Sequence, residues 1–268
     1  MARQIIESPP SIPPWLQSLG EPTAQRLLAW GQAQADECLA DVFGYHALQA
    51  GWPGFDALRH NRMPHRWLAQ QEFDDSAAPS PALDFDSRAW PWGAESLDLV
   101  VLPHTLERSA DPHACLREVE RVLIPEGQVF ITGINPWSLW GWRLARHQQP
   151  KTPEGDGHWP VRPIGPHRLR DWLHLLGFEV QLQRYTGWTP TWRSERWVQR
   201  WSWLEAWGQR WCPILGGAYL IVATKRVPGG HWLSGRAWRK LPSRPALVAP
   251  ATPMQAPMQA RPDNESPS

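Results

Sequence analysis

Apolar residues recur along the chain in short runs and in helical stripes. Seven runs predict strands, namely GYHALQAG, HRWLAQ, PALDFD, ESLDLVVLPH, QVFITG, FEVQLQRY and GAYLIVATKR. In ESLDLVVLPH the apolar positions are nearly continuous, which is typical of a parallel strand covered on both faces. The strand pattern therefore indicates a sheet that is largely buried.

Helical spacing predicts the segments between the strands. Residues 15–43 read as one or two amphipathic helices, and GFDALRHNRMPH reads as a short helix that ends before Pro64. A further helix is capped by Asp111 with Pro112 in its first turn, and GPHRLRDWLHLLG ends at Gly177. Alternating strands and helices favour an α/β fold, a Rossmann-like doubly wound, mostly parallel seven-stranded sheet with helices on both faces.

Composition along the chain predicts its organisation. We expect an N-terminal helical cap at 1–40, a main domain at 41–227, and a Pro-rich, disordered tail at 228–268. Many of the 20 tryptophans fall in a predicted helical insertion near 190–212, SERWVQRWSWLEAWGQRW. Such a helix most often caps the domain and its pocket. Peripheral contact with a membrane surface is the less favoured alternative.

Charge and cysteine usage exclude several classes. The 27 Lys and Arg nearly balance the 26 Asp and Glu, so nucleic-acid binding is not favoured. The three cysteines form no CxxC pair, and no histidine has the spacing of a metal site, so we expect reduced thiols and no metal. No signal-peptide core or apolar run of membrane-spanning length occurs, and a cytoplasmic protein is expected. The oligomeric state is left open.

The stretch 83–133 resembles a known family. DSRAWPW, SLDLVVLPHTLE and above all CLREVERVLIPEGQVFITG resemble the motif series of class I S-adenosylmethionine-dependent methyltransferases, type 11 branch. ADVFGYHALQAG, INPWSLWG and RLRDWLHLLGFEV are similar to an uncharacterised proteobacterial subgroup, so that the likeness extends over about 13–227. The resemblance implies a Rossmann-like fold and S-adenosylmethionine as cofactor, and it implies no particular substrate.

The family's first glycine motif is only partly present. Gln49 stands where the family has an acidic residue, Gly51 at the first glycine, and Pro53 or Gly54 near the second. By resemblance, the Gln49 amide oxygen accepts from the methionyl amino group. A neutral acceptor weakens this contact by about 1 kcal/mol or more. The acid that binds the ribose is not identified, and Gln70, Gln71 and Glu72 are the alternatives.

Other cofactor contacts follow from the same resemblance. Asp86 accepts from the adenine amino group beside the backbone of Ser87, and Leu102 and His104 end the fourth strand at the ligand-binding edge. His104 is also the one weak catalytic candidate, a base for the methyl acceptor. The alternative, which we prefer from sequence, is that His104 packs beside the cofactor through its backbone.

The segment NPWSLWG follows the fifth strand. Asn135, Trp137 and Trp140 are expected to line the acceptor pocket or its lid, and the alternative is an aromatic loop packed on the domain. The predicted function is methyl transfer to a small acceptor, aromatic or lipid-like in character. The alternative is a catalytically inactive methyltransferase-like binding protein. Hydrolase and dehydrogenase readings fail because GxSxG and GxGxxG are absent.

Overall fold

The structure is a computed structural model. It describes residues 12, 14–52, 55–71, 83–86, 88–147, 161–189, 208 and 210–226. The chain divides into two compact units, Met1–Gly229 and Gly230–Ser268. The second unit lies outside the described residues, and the predicted disordered tail lies there too.

Seven strands form one sheet in the described part of the chain. They are β1 His46–Ala50, β2 His65–Gln71, β3 Leu83–Phe85, β4 Leu97–Pro103, β5 Leu123–Ile134, β6 Phe178–Thr186 and β7 Ala218–Lys225. The strand order is β3-β2-β1-β4-β5-β7-β6. The first five in this order run parallel, and β7 is antiparallel to both of its neighbours. The predicted mostly parallel, doubly wound sheet is confirmed.

Helices cover the two faces of this sheet. They are α1 Pro14–Gln17, α2 Glu21–Leu39, α3 Pro112–Val122, α4 Leu139–His147, α5 Pro166–Leu175 and a 3-10 turn at Pro213–Leu215. One core cluster joins α1, α2 and α4 to the sheet, and the other joins α3 and α5 to it. The Asp111 side chain accepts from the Ala114 N–H at 3.0 Å, as expected of the predicted N-cap.

The chain between β1 and β2 departs from the sequence prediction. The short helix expected in GFDALRHNRMPH is wrong, because residues 57–60 form turns. Hydrogen bonds from side chains, rather than helical backbone hydrogen bonds, stabilise this segment. Asn61 donates to Leu39 O at 2.8 Å, and Gln32 donates to Asp56 O at 2.8 Å. Phe55 and Leu58 are buried in the cluster that contains α2. The N-terminal helix therefore covers this face of the sheet.

The segment after β5 also differs from expectation. It was predicted as a loop, but α4 begins within it at Leu139. A Cβ on Gly141 would lie 2.2 Å from the carbonyl oxygen of Asn135, so only glycine allows the helix to pack so closely on the strand end. The predicted tryptophan-rich helix near 190–212 lies almost entirely outside the described residues.

Candidate functional site

Parallel sheets bind ligands where the strand order reverses, at the carboxyl ends of the strands. Here that point lies between β1 and β4, and Thr105 bridges it. The Thr105 hydroxyl donates to Ala50 O at 2.6 Å. Gly51 has a φ of +132°, and a Cβ there would lie 2.2 Å from the Thr105 hydroxyl. A side chain at position 51 would therefore clash with Thr105, so glycine is required here.

Gln49, the residue at the family's acidic position, is committed to the loop that follows β1. Its side-chain oxygen accepts from the Ala57 N–H at 2.9 Å. Its side-chain nitrogen donates to Trp52 O at 3.3 Å and to Phe55 O. The side chain is buried. The Gln49 amide therefore binds backbone groups on both sides of residues 53–54, which lie outside the described residues, and we call the described residues 51, 52 and 55–57 the switch loop.

Aromatic side chains of the switch loop fill the edge of the sheet. Trp52 and Phe55 are buried, and with α2 they enclose a cavity of about 10 Å³. Its walls include Leu27, Trp30, Trp52, Phe55, His104 and Thr132. Cavities that hold small ligands are about 300–1,000 Å³. This cavity is therefore far smaller than one that holds a small-molecule ligand.

His104 directly follows β4 and lines this cavity. Its backbone conformation is uncommon for a residue other than glycine. Its φ is +53°, and its N–H donates to Thr132 O at 3.2 Å. Its Nδ1 lies 3.2 Å from Oε2 of Glu107. Glu107 is 1% exposed, and its other oxygen accepts from the Ile134 N–H. The result is a buried carboxylate and imidazole side by side at the carboxyl edge.

The indole ring of Trp15, in α1, packs against the imidazole ring of His104. The two ring centroids are 5.3 Å apart. Trp15 Nε1 is buried and has no hydrogen-bond partner within the described residues. A buried N–H without a partner is costly, so this indole leaves a donor available beside the imidazole.

Glu107 and Trp15 were missed by sequence reasoning. Glu107 follows His104 at a spacing of three in PHTLE, and this spacing after a buried strand was the available signal. The sequence contains no comparable signal for Trp15, because only the tertiary packing of α1 brings this residue next to His104.

Asp86 follows β3 at the same edge and is exposed. Its Oδ1 accepts from the Arg88 N–H at 2.9 Å, and no hydrogen bond to its second oxygen occurs within the described ranges. Ser87, Gly54 and Glu72 lie outside the described residues. The side chain of Leu102 is buried in the core cluster that contains α3. Of the predicted contact at Leu102, only the backbone is therefore available to a cofactor.

The three residues predicted for the acceptor pocket have different environments. Asn135 is buried and donates to Ile214 O at 2.6 Å and to Gly216 O at 3.0 Å. Trp140 is buried and donates from Nε1 to Thr189 O at 2.8 Å. Trp137 is 78% exposed. Asn135 and Trp140 therefore match the alternative, a segment packed on the domain, and Trp137 alone keeps a free surface.

Comparison with known proteins shows what the central part of the chain is similar to. Residues 66–131 match the family model described as "Methyltransferase domain". The "Uncharacterized protein YafS" of Escherichia coli K12 is 31% identical over 161 residues, 57% of this chain. The chain spans 63% of the length of that relative.

Two solved structures share the fold. A chain of the complex between the Haloferax volcanii Trm112 methyltransferase activator and its methyltransferase has 15% identity and a TM-score of 0.54, covering 82% of this chain and 100% of that one. A SAM-dependent methyltransferase from Archaeoglobus fulgidus has 15% identity and a TM-score of 0.51, covering 74% of this chain and 94% of that one.

None of the helices in the described ranges combines the length and apolar character needed to span a membrane.

The match to the methyltransferase family model supports the expectation of S-adenosylmethionine as the cofactor. The described residues suit its adenosine half, because Asp86 presents an exposed carboxylate at the end of β3. They do not suit its methionine half, because Gln49 is hydrogen-bonded to the chain itself and the cavity beside it measures about 10 Å³.

Proposed function

We propose that this chain, which carries a methyltransferase domain, transfers a methyl group from S-adenosylmethionine to a small acceptor with an aromatic or lipid-like body. The match of residues 66–131 to the methyltransferase family model carries the proposal. That range contains the end of β3, the whole of β4, and both Asp86 and His104. Asp86 and His104 thus each follow a strand at the carboxyl edge of the sheet.

The character of the acceptor follows from the walls of the edge. Trp30, Trp52 and Phe55 line the cavity beside His104, and apolar aromatic walls favour a flat or apolar molecule. The net charge of +1 provides no field that attracts a nucleic acid. We therefore favour a small molecule over a macromolecular acceptor. Trp137 is kept as a proposed acceptor contact on the outer surface.

One observation favours the second candidate, a methyltransferase-like protein that binds without catalysis. The Gln49 amide makes hydrogen bonds to the backbone of the switch loop at Trp52, Phe55 and Ala57. Both the nitrogen and the oxygen of the Gln49 side chain are therefore already hydrogen-bonded within the protein. The two candidates differ in whether bound S-adenosylmethionine is turned over.

Calorimetric titration of the full chain with S-adenosylmethionine and with S-adenosylhomocysteine tests the proposal. We expect both to bind. Hydrogen exchange gives a second readout: the Ala57 amide, bonded to Gln49, should lose protection when the cofactor binds, whereas the Ala114 amide, capped by Asp111, should not. Absence of binding by both compounds would overturn the proposal.

Turnover distinguishes the two candidates. We expect S-adenosylhomocysteine to be released in the presence of aromatic hydroxyl, amine or thiol acceptors. Binding of the cofactor without release in any acceptor mixture would instead establish the non-catalytic alternative.

A further inference from the structure

We infer that the outward face of α4, together with the neighbouring turn at Pro213–Leu215, docks this protein on an anionic phospholipid surface. The inference goes beyond the proposed methyl transfer and does not depend on it. The carrying observation is that α4 bears apolar side chains on two opposite faces, one packed on the domain and the other exposed and flanked by arginine.

The exposed face of α4 lacks the polar character of an ordinary surface helix. Trp140 and Leu144, four positions apart, are buried in the core cluster that joins α4 to the sheet. Leu139 is 58% exposed and Trp142 is 57% exposed, and their spacing of three residues places them on one stripe, opposite the buried one. A helix at a water-facing surface carries charged and polar residues on its outer face. The outer stripe of α4 therefore suits an apolar environment.

Further exposed apolar side chains adjoin this stripe. Trp137 lies two residues before the start of α4 and is exposed. The 3-10 turn is tied to the same place, because the Asn135 side chain donates to Ile214 O at 2.6 Å. Large exposed apolar patches are uncommon on monomers and mark interaction surfaces. The exposed apolar residues at this place, which we call the docking face, are Trp137, Leu139, Trp142, Ile214 and Leu215.

The charges in the segments that form the docking face have one sign. Residues 134–147 and 210–217 contain three arginines and no aspartate or glutamate. Arg146 is exposed, and its guanidinium carbon lies 4.3 Å from the centroid of the Trp142 ring. A guanidinium stacked on an indole keeps a positive charge beside an apolar ring, as the boundary between lipid phosphates and acyl chains requires. The whole chain has a net charge of only +1, so this excess is local.

This composition favours a lipid surface over a second copy of the chain. Trp and Leu together with Arg are typical of helices that lie in the membrane interface. In an isologous dimer the same patch of both copies meets, so the arginines of one copy would face those of the other. Residues 134–147 and 210–217 offer no acidic side chain to pair with them. An anionic phospholipid layer supplies both the apolar environment and the negative charge.

The position of the docking face determines how the docked protein is oriented. α4 follows the carboxyl end of β5, and the 3-10 turn precedes β7, which runs antiparallel to β5, so both lie at the carboxyl edge of the sheet. Phe43 precedes β1 and Leu175 precedes β6, so these two exposed apolar residues lie at the opposite, amino edge. Docking therefore turns the carboxyl edge towards the lipid and leaves the amino edge in water.

Flotation of the full chain with vesicles tests the docking face. The vesicles are phosphatidylcholine alone and a mixture of phosphatidylcholine with phosphatidylserine. We expect the wild-type chain to float with the mixed vesicles and to bind phosphatidylcholine alone more weakly. The double variant L139S/W142S should bind the mixed vesicles about tenfold or more weakly. F43S/L175S is the matched control, because it removes an exposed aromatic residue and an exposed leucine from the amino edge, and it should bind as the wild type does.

A charge variant tests the choice of an anionic lipid. R146Q should weaken binding to the mixed vesicles about fivefold and leave binding to phosphatidylcholine unchanged, whereas R62Q, an exposed arginine before β2, should change neither.

Three outcomes would overturn the inference. They are a wild-type chain that floats with neither kind of vesicle, equal losses in L139S/W142S and F43S/L175S, and a wild-type dimer that L139S/W142S converts to a monomer in sedimentation without lipid. The last result would assign the docking face to a second copy of the chain. Because no S-adenosylmethionine is present, the flotation result stands whether or not the chain transfers methyl groups.

Discussion

The side-chain oxygen of Gln49 accepts a hydrogen bond from the backbone N–H of Ala57 at 2.9 Å. The same amide donates to the carbonyl oxygens of Trp52 and Phe55. One buried side chain of β1 thus binds three backbone groups of the switch loop. The residue expected to meet the cofactor is hydrogen-bonded to the chain itself.

Gln49→Glu should destabilise the switch loop and strengthen S-adenosylmethionine binding. A carboxylate cannot donate to the carbonyl oxygens of Trp52 and Phe55, and it offers a full charge to the methionyl ammonium. We expect the free energy of unfolding to fall by about 1–3 kcal/mol and cofactor affinity to rise about tenfold, a change of about 1.4 kcal/mol. Calorimetry and urea denaturation measure the two effects. Gln49→Ala is the control, with the same loss of stability and no gain in affinity; tighter binding by both variants would contradict the charge argument.

Asp86→Ala should weaken S-adenosylmethionine binding without lowering stability. The Asp86 side chain is exposed and offers a carboxylate oxygen at the end of β3, so its loss removes a ligand contact and little packing. A charged hydrogen bond contributes about 1.5–3 kcal/mol, or roughly a 10- to 150-fold change in Kd. Asp171→Ala, an exposed aspartate of α5, is the control. An unchanged Kd for Asp86→Ala would show that the third-strand motif is wrongly assigned.

Trp140 and Trp137 should separate stability from function. Trp140 is buried, and its ring packs where a Cβ on Gly187 or Gly217 would lie 2.6 or 2.4 Å away. Trp140→Ala should therefore lower the free energy of unfolding by about 3–5 kcal/mol. Trp137→Ala, at 78% exposure, should change it by less than about 0.5 kcal/mol and lower acceptor affinity. Denaturation curves decide the first comparison, and a stable Trp140→Ala chain would contradict it.

Acid should destabilise the chain partly through Glu118. The hydrogen bond from Arg121 lowers the pKa of Glu118, with burial opposing, and the Trp90 N–H adds to the lowering. A group whose folded pKa is depressed contributes stability that is present above its unfolded pKa, near 4.5, and lost as pH falls through the folded pKa. Glu118→Gln should be less stable than the wild type near neutral pH and should lose less stability in acid. Parallel pH profiles of thermal unfolding for the two chains would contradict this.

Local signals in the sequence determined the strands and the well-capped helix. Continuous apolar runs gave β4 and β7, and Asp111 with Pro112 gave the start of α3, because periodicity and capping involve neighbours along the chain. The motif series from 83 to 133 determined the family resemblance, since it lies on these regular elements. Asp86 and His104 were placed at the carboxyl edge because each lies at the end of a predicted strand.

Tertiary structure alone decided what the side chains at that edge do. Glu107 acts on β5 through Ile134, 27 positions away, and Trp140 reaches Thr189 across 49 positions. The segment after β1 has helical spacing, but α2 occupies the face of the sheet, and the Gln49 amide holds the backbone in turns instead. Hydrogen bonds and packing between distant segments outweigh local helical propensity, whose preferences are under about 1 kcal/mol per residue. For that reason the hydrogen bonds of Gln49 to the switch loop and the His104–Glu107 pair were decided by the fold.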